Sequence, residues 1–200
     1  RKYSDAAKLI RQSFGKGFKS YSKIRHFKET LKGYLKGGAS FKDLLVAFSL
    51  FFIKVPADKM PVQREYCYFQ DFIPNDGYDY RIELCGDKCI AMVRYVRRGD
   101  FRASGGHNDH FEKELIPEDV IKFAFNVKKR LHIQAGALDI VRNKDTKELF
   151  LVEISYCYGV DKDEFDHGYW DENATWHDEA FNGCDWMIEE VIKEINTNQK

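Results

Sequence analysis

No apolar run in this chain is long enough to cross a bilayer, neither sign of charge predominates, and neither common nucleotide fingerprint is present. Each absence removes a class of function. The longest apolar run, Leu44 to Ile53, falls well short of the roughly 20 residues a helical span takes. It reads as a buried helix, with an interfacial helix that meets a membrane or a lipid-linked substrate as the other reading. Lys+Arg and Asp+Glu both number 32, so the formal net charge is zero, and a nucleic-acid partner would call for a basic excess. The five cysteines are odd in number and show no C-x-x-C spacing, which reads as thiols in a reducing cytoplasm rather than a disulfide framework or a zinc site. There is no Walker A pattern and no G-x-G-x-x-G, so neither a P-loop nor a Rossmann site is available. No signal peptide is visible, and the opening at Arg1 without Met reads as a fragment of a longer protein.

What remains is material for an α+β domain. The 200 residues are 44% hydrophobic and 15% aromatic, enough for one sizeable core plus an appendage. The first third reads as helices. Ser4 opens a stripe of Ala7, Ile10 and Phe14 that Gly15 can end. A basic helix is expected over 22–36, and Ser40 with Asp43 forms an imperfect capping box for the apolar helix. Tyr66 to Phe72 reads as a strand, and Pro74-Asn75-Asp76-Gly77 as a turn. Strands follow at 79–85 and 89–96, then a helix entered at Pro117 with Val120, Ala124, Val127 and Leu131 inward. Strands at 135–142 and 148–155, a polar loop rich in aromatics and a helix over 185–195 complete the chain.

Two hairpins carry the chemistry. With Asp87-Lys88 as the turn, Tyr80 faces Tyr95, Ile82 faces Val93 and Leu84 faces Ala91, all on one side. The other side then carries Asp79 and Arg81, with Arg94 directly across from Arg81. Two neighbouring guanidinium groups repel unless an anion lies between them, so the pair is a candidate phosphate or carboxylate clamp. In the second hairpin Leu138 faces Ile154 and Ile140 faces Val152, which sets Asp139 opposite Glu153 with Ser155 on the same side. Opposed carboxylates suit a cation, and hard oxygen donors without His or Cys suit Mg²⁺ or Mn²⁺.

These residues resemble the ATP-grasp superfamily, in particular the branch that includes glutathione synthetase and the ribosomal-protein glutamate ligases. The resemblance runs over 66–159, through Tyr68-Phe69-Gln70-Asp71-Phe72-Ile73, Tyr78-Asp79-Tyr80-Arg81, Arg94 with Gly99-Asp100-Phe101-Arg102-Ala103-Ser104, Leu138-Asp139-Ile140 and Val152-Glu153-Ile154-Ser155. The tail, Gly168-Tyr169-Trp170-Asp171 with Trp176-His177 and Trp186-Met187, is similar to ATP-grasp proteins linked to bacterial surface polysaccharide synthesis. The resemblance implies an ATP-grasp C-terminal portion, an antiparallel sheet packed with helices. Residues 1–64 would be the helical part of the small subdomain with an insertion, and 65–200 the catalytic subdomain. Gln70, Asp71, Phe72 and Ile73 would read adenine through backbone groups, with Asp79 near the nucleotide. Arg81, Arg94 and Arg102 would hold the transferring phosphoryl group, and Asp139, Glu153 and Ser155 would bind magnesium. The family usually has Asn where Ser155 stands, and its phosphate-binding lysine loop would lie upstream of Arg1.

The implied activity is an ATP- and Mg²⁺-dependent ligation of a carboxylate to an amine or other nucleophile through an acyl-phosphate. The implied location is cytoplasmic, with attachment to the inner membrane surface and a homo-oligomer both left open. No general base can be assigned; His107, His110 and His177 are candidates by chemistry alone. Arg94→Ala is expected to cut turnover far more than stability. Two alternatives stand beside the ligase: a non-catalytic nucleotide-binding domain of the same fold, and a carbohydrate-binding module using Tyr169, Trp170, Trp176 and Trp186 as stacking surfaces.

Overall fold

The computed structural model describes residues 3–19, 21–35, 37–96, 103, 108–159 and 164–198. The chain divides into two compact units, residues 1–71 and 72–200. The first contains α1 (Tyr3–Ser13), β1 (Phe18–Lys19), α2 (Lys23–Leu35), α3 (Phe41–Ser49) and β2 (Val62–Gln63), with β1 and β2 paired antiparallel.

Local chemistry accounts for α3. Ser40 Oγ accepts from Asp43 N at 3.2 Å, and the Asp43 carboxylate accepts from Ser40 N at 2.8 Å. The box is therefore complete with Asp in place of Glu. Two expectations fail in this unit. The apolar run is not a buried helix: α3 ends at Ser49 and only Ala47 within it is buried. Among the described residues α2 packs along one side of it, and Phe41, Leu45, Phe48 and Phe52 stay exposed. Tyr66 to Phe72 forms no strand, and Tyr66, Tyr68, Phe69 and Phe72 are exposed.

The second unit is built on β3 (Tyr78–Cys85), β4 (Lys88–Tyr95), β5 (Asp109–His110), α4 (Glu118–Leu131), β6 (Ala135–Arg142), β7 (Leu149–Ser155), β8 (Tyr169–Asp171), β9 (Trp176–His177) and α5 (Gly183–Asn198). The strands form one sheet in the order β7-β6-β3-β4-β8-β9, with β5 also on β4, and the described pairings are antiparallel. An α+β architecture follows.

The β3–β4 register differs from the expected one by two residues: Tyr80 faces Val93, Ile82 faces Ala91, and Asp79, not Arg81, lies opposite Arg94. The turn decides this. Cys85 pairs with Lys88, leaving Gly86-Asp87 as a two-residue loop whose first residue, Gly86, takes φ 58°, a positive value that glycine accepts freely. A slip of two preserves which side chains share a face, so the division of faces survives. In the second hairpin Leu138 faces Ile154 and Asp139 faces Glu153 as expected, but a bulge then sets Ile140 against Leu151 rather than Val152.

One face of the sheet packs Tyr80, Ile82, Leu84, Val93, Leu138 and Ile140 against Val120, Ile121 and Ala124 of α4. Leu131, expected inward, is 49% exposed, and Ile121 takes an inward place. Pro117 occupies the N-cap position, and His132 ends the helix in the left-handed conformation. The polar loop contributes two short strands, β8 and β9, that seat Tyr169 and Trp170 on opposite sides of the sheet. Tyr169 then joins Ile90, Cys85 and Trp186 of α5 in a second cluster. That cluster covers one end of the other sheet face and leaves the opposite end to polar groups. All five cysteines are free thiols.

Candidate active site

Alternation along three adjacent strands assembles the polar end of this face. Asp79 and Arg81 of β3, Arg94 of β4 and Asp139 of β6 project to the same side, and Glu83 of β3 follows them at the next alternate position. Across β3 and β4, Arg94 lies opposite Asp79; across β3 and β6, Arg81 lies opposite Asp139. Cation therefore faces anion at each crossing, the favourable arrangement for cross-strand pairs.

The side chains close a single network. Arg94 Nε and Nη2 donate to the two carboxylate oxygens of Asp79, each at 2.9 Å, a bidentate pair. Arg94 Nη2 also lies 2.8 Å from Asp139 Oδ2. Arg81 Nη1 donates to Asp139 Oδ1 at 2.9 Å, and Arg81 Nε donates to Glu83 Oε1 at 2.8 Å. Asp139 is thus held by both arginines at once. Beyond it, on edge strand β7, Glu153 is exposed, accepts from Ser155 Oγ at 3.3 Å and pairs with no described cation.

Burial sets the electrostatics. It pushes the Glu83 carboxyl above its usual range, and Arg81 reverses only part of that. Glu83 is 3% exposed, and its second oxygen, Oε2, has no hydrogen-bond partner among the described residues. Burial also raises Asp79 against the opposing pull of Arg94. For the two arginines burial acts the other way, yet Glu83 and Asp139 hold Arg81 above its ordinary value, and Asp79 and Asp139 do the same for Arg94. Both guanidinium groups are permanently charged.

Two arginines against Asp79, Glu83, Asp139 and Glu153 leave a formal charge of −2 on this face with all four carboxylates ionised. The donor set is oxygen alone, and its excess charge equals that of one divalent cation. Asp139 and Glu153, opposite one another across β6 and β7, fit Mg²⁺ by donor type and by the repulsion it would relieve. No cluster of three or more His, Cys, Asp or Glu with metal-site geometry occurs among the described residues, so such a cation would complete its shell from water or ligand.

Arg81, Arg94, Asp79 and Asp139 form one network, with Glu153 and Ser155 on the neighbouring strand. Gln70 and Asp71 belong to the first unit and Phe72 and Ile73 to the second, all in irregular chain. Arg102, with the rest of 97–102, and His107 lie outside the described residues. Among the described contacts neither His110 nor His177 bonds to the polar face: His110 meets Asn108, and His177 meets Asp171 and stacks on Tyr169. The residue that sequence reasoning missed is Glu83. Its signal was the period-two run Asp79, Arg81, Glu83, overlooked among apolar neighbours.

The fold and this face define an α+β unit presenting paired guanidinium and carboxylate groups on an antiparallel sheet, and no protein-family profile matches the chain. Two curated relatives do. Over 94 residues, 46% of this chain, it is 29% identical to a probable alpha-L-glutamate ligase of Haemophilus influenzae strain PittEE, covering 31% of that protein. A probable alpha-L-glutamate ligase of strain 86-028NP shows the same identity over the same length, 30% of its chain. The match thus spans less than a third of the length of these ligases.

Proposed function

We propose that the polar face is the phosphate and divalent-cation site of an ATP-dependent ligase of the ATP-grasp type, joining a carboxylate to an amine through an acyl-phosphate. The observation that carries this reading is Asp139, shared by the buried Arg94 and the half-buried Arg81 on one side and set against Glu153 on the other. Bound ATP with Mg²⁺ would supply the phosphoryl group that activates the carboxylate. Arg81 and Arg94 are positioned donors: when Asp139 turns towards Glu153, Arg81 Nη1 and Arg94 Nη2 each lose an acceptor and can donate to anionic oxygen. Glu83 keeps Arg81 in register through Nε while that exchange occurs. Preorganised donors of this kind stabilise charge developing on a transferring phosphoryl group. In the same reading Gln70 to Ile73 supplies the backbone groups that read adenine, Arg102 joins the arginine pair, and glutamate is the first substrate to try, after the named relatives. A role in cell-surface polysaccharide synthesis belongs to this reading as its finer form.

Ser155 favours a second reading, a nucleotide-binding domain without turnover, because a hydroxyl reaches less far than the amide oxygen of Asn. The carbohydrate module loses its surface. Tyr169, Trp170 and Trp186 are each at most 9% exposed, and Trp176 packs edge-on against Trp170 with ring centroids 5.2 Å apart.

Glu153→Gln is the test that separates chemistry from folding. Arg94→Ala does not: it removes the buried one of the network's two cations, a change that costs roughly 3–5 kcal/mol. Glu153 is exposed, so Glu153→Gln should shift stability by no more than about 0.5 kcal/mol. ADP formation by the full-length protein with ATP, Mg²⁺ and glutamate should nevertheless fall roughly 100-fold or more. An unchanged rate overturns the site. A nucleotide- and Mg²⁺-dependent thermal shift without ADP formation supports the second reading.

A further inference from the structure

The first unit keeps its largest apolar side chains outside. Phe41, Leu45, Phe48 and Phe52 follow one another at spacings of four, three and four along α3 and the turns after it, one face of a helix. They are 59%, 54%, 52% and 79% exposed. Within the unit, α2 covers the other side of α3, where Ala47 is buried and Phe27 meets Phe51 at 5.8 Å between ring centroids. Tyr34 and Phe27 of α2 reach only the edge of the stripe, each with its ring centroid 6.2 Å from that of Phe41 and Phe48 respectively, and every stripe residue stays more than half exposed.

The charge around it is one-sided. Residues 1–71 contain 15 Lys and Arg against 6 Asp and Glu, a net of +9; residues 72–200 contain 17 against 26, a net of −9. Beside the stripe, Lys42 and Lys54 are exposed, and Lys28 and Lys32 stand one turn apart on α2. Of the two carboxylates nearest in sequence, Asp43 is already held by Ser40. No helix among the described residues is long and apolar enough to cross a membrane.

We propose that α2 and α3 dock the first unit in the plane of an anionic lipid surface, with Phe41, Leu45, Phe48 and Phe52 seated at the acyl boundary and Lys28, Lys32, Lys42 and Lys54 on the headgroups. A helix that pairs an apolar stripe with lysines and has few acids beside it is built to lie in a membrane interface rather than to span it. Nucleic acid would engage the lysines and leave the phenylalanines in water. The proposal is independent of the ligase reading and survives its failure.

Co-sedimentation of the protein with vesicles tests it. Binding is expected with phosphatidylcholine mixed with phosphatidylglycerol and not with phosphatidylcholine alone. It should dissolve in about 1 M salt, where the Debye length contracts to roughly 3 Å. At about fivefold per surface cation, the triple variant Lys28→Ala, Lys32→Ala, Lys42→Ala should bind some 100-fold more weakly. Phe52→Ala, at a side chain already in solvent, should lose roughly tenfold. No binding to the anionic vesicles, or equal binding to both kinds, overturns the proposal. So does a dimer in solution that Phe52→Ala dissociates, since a second copy would then cover the stripe.

Discussion

Residues 72–200 bury most of the large apolar side chains of their sheet, while residues 1–71 bury only Ser13, Gly17 and Ala47 among the described residues. Both parts are rich in aromatic and aliphatic residues, and both show clear amphipathic periodicity. The difference lies in what faces the apolar side. Strands Tyr78–Cys85 and Ala135–Arg142 meet α4 on one face and the Tyr169–Trp186 cluster on the other. Among the described residues the helix Phe41–Ser49 packs chiefly on one neighbour, the helix Lys23–Leu35. Periodicity tells which side of an element is apolar; a second layer decides whether that side becomes a core or a surface.

The largest test of this contrast is a pair of truncations. Ile82 is fully buried between Ala91 and Leu138, so Ile82→Ala should cost about 2–5 kcal/mol. Leu45, 54% exposed, should cost no more than about 0.5 kcal/mol on truncation to alanine. The three tryptophans, Trp170, Trp176 and Trp186, all lie in the second unit. Urea unfolding followed by fluorescence therefore reports that unit, and far-ultraviolet circular dichroism reports both. Equal costs for the two variants would mean that Leu45 is buried in solution, and the contrast would break.

The contrast also separates what the sequence disclosed from what it could not. Strand alternation is local, so the faces carrying Asp79, Arg81, Arg94, Asp139 and Glu153 were legible, as was the opposition of Asp139 to Glu153. The register of the first hairpin was not, because the apolar pattern is unchanged by a slip of two residues. Gly86 settles it, since the turn must close in two residues with a positive φ at the first. The same slip replaces the expected arginine-on-arginine repulsion with the Arg94–Asp79 pair. The strands at 169–171 and 176–177 were too short to show a period. The cap at Ser40 was legible because it is written in four consecutive residues. The exposure of the helix it starts depends on a layer that no local pattern records.

The buried Glu83 carboxyl gives the second unit a pH dependence of its own. Burial raises the Glu83 carboxyl, so the folded second unit keeps its proton to higher pH than the unfolded chain does. Its contribution to stability is present below the unfolded value of about 4.3 and is lost as pH rises through the folded value. Glu83→Gln retains an acceptor for Arg81 Nε and removes the titration. Thermal melts should show the parent falling relative to Glu83→Gln as pH climbs above the ordinary glutamate range. Parallel profiles would mean that Glu83 is solvated.

The first unit should respond at the other end of the scale, and less. Ser40→Ala removes the cap of α3 and should cost about 1 kcal/mol of that helix, visible as lost ellipticity at 222 nm. The side chain and backbone of Ser40 lower the Asp43 carboxyl, the reverse of Glu83. Its contribution is present above the unfolded aspartate value of about 3.9 and is lost as pH falls through the lower folded value. Helix content of the parent should therefore decline on acidification through the carboxylate range, while Asp43→Asn, whose amide oxygen can still accept from Ser40 N, should hold it level. Because Asp43 stands in open solvent, this is the smallest of the effects and the most exposed to salt. A parent whose helix content ignores that acid range would show that Ser40 and Asp43 do not cap α3 in solution. The first unit would then lack even the local order that sets its apolar stripe on one face.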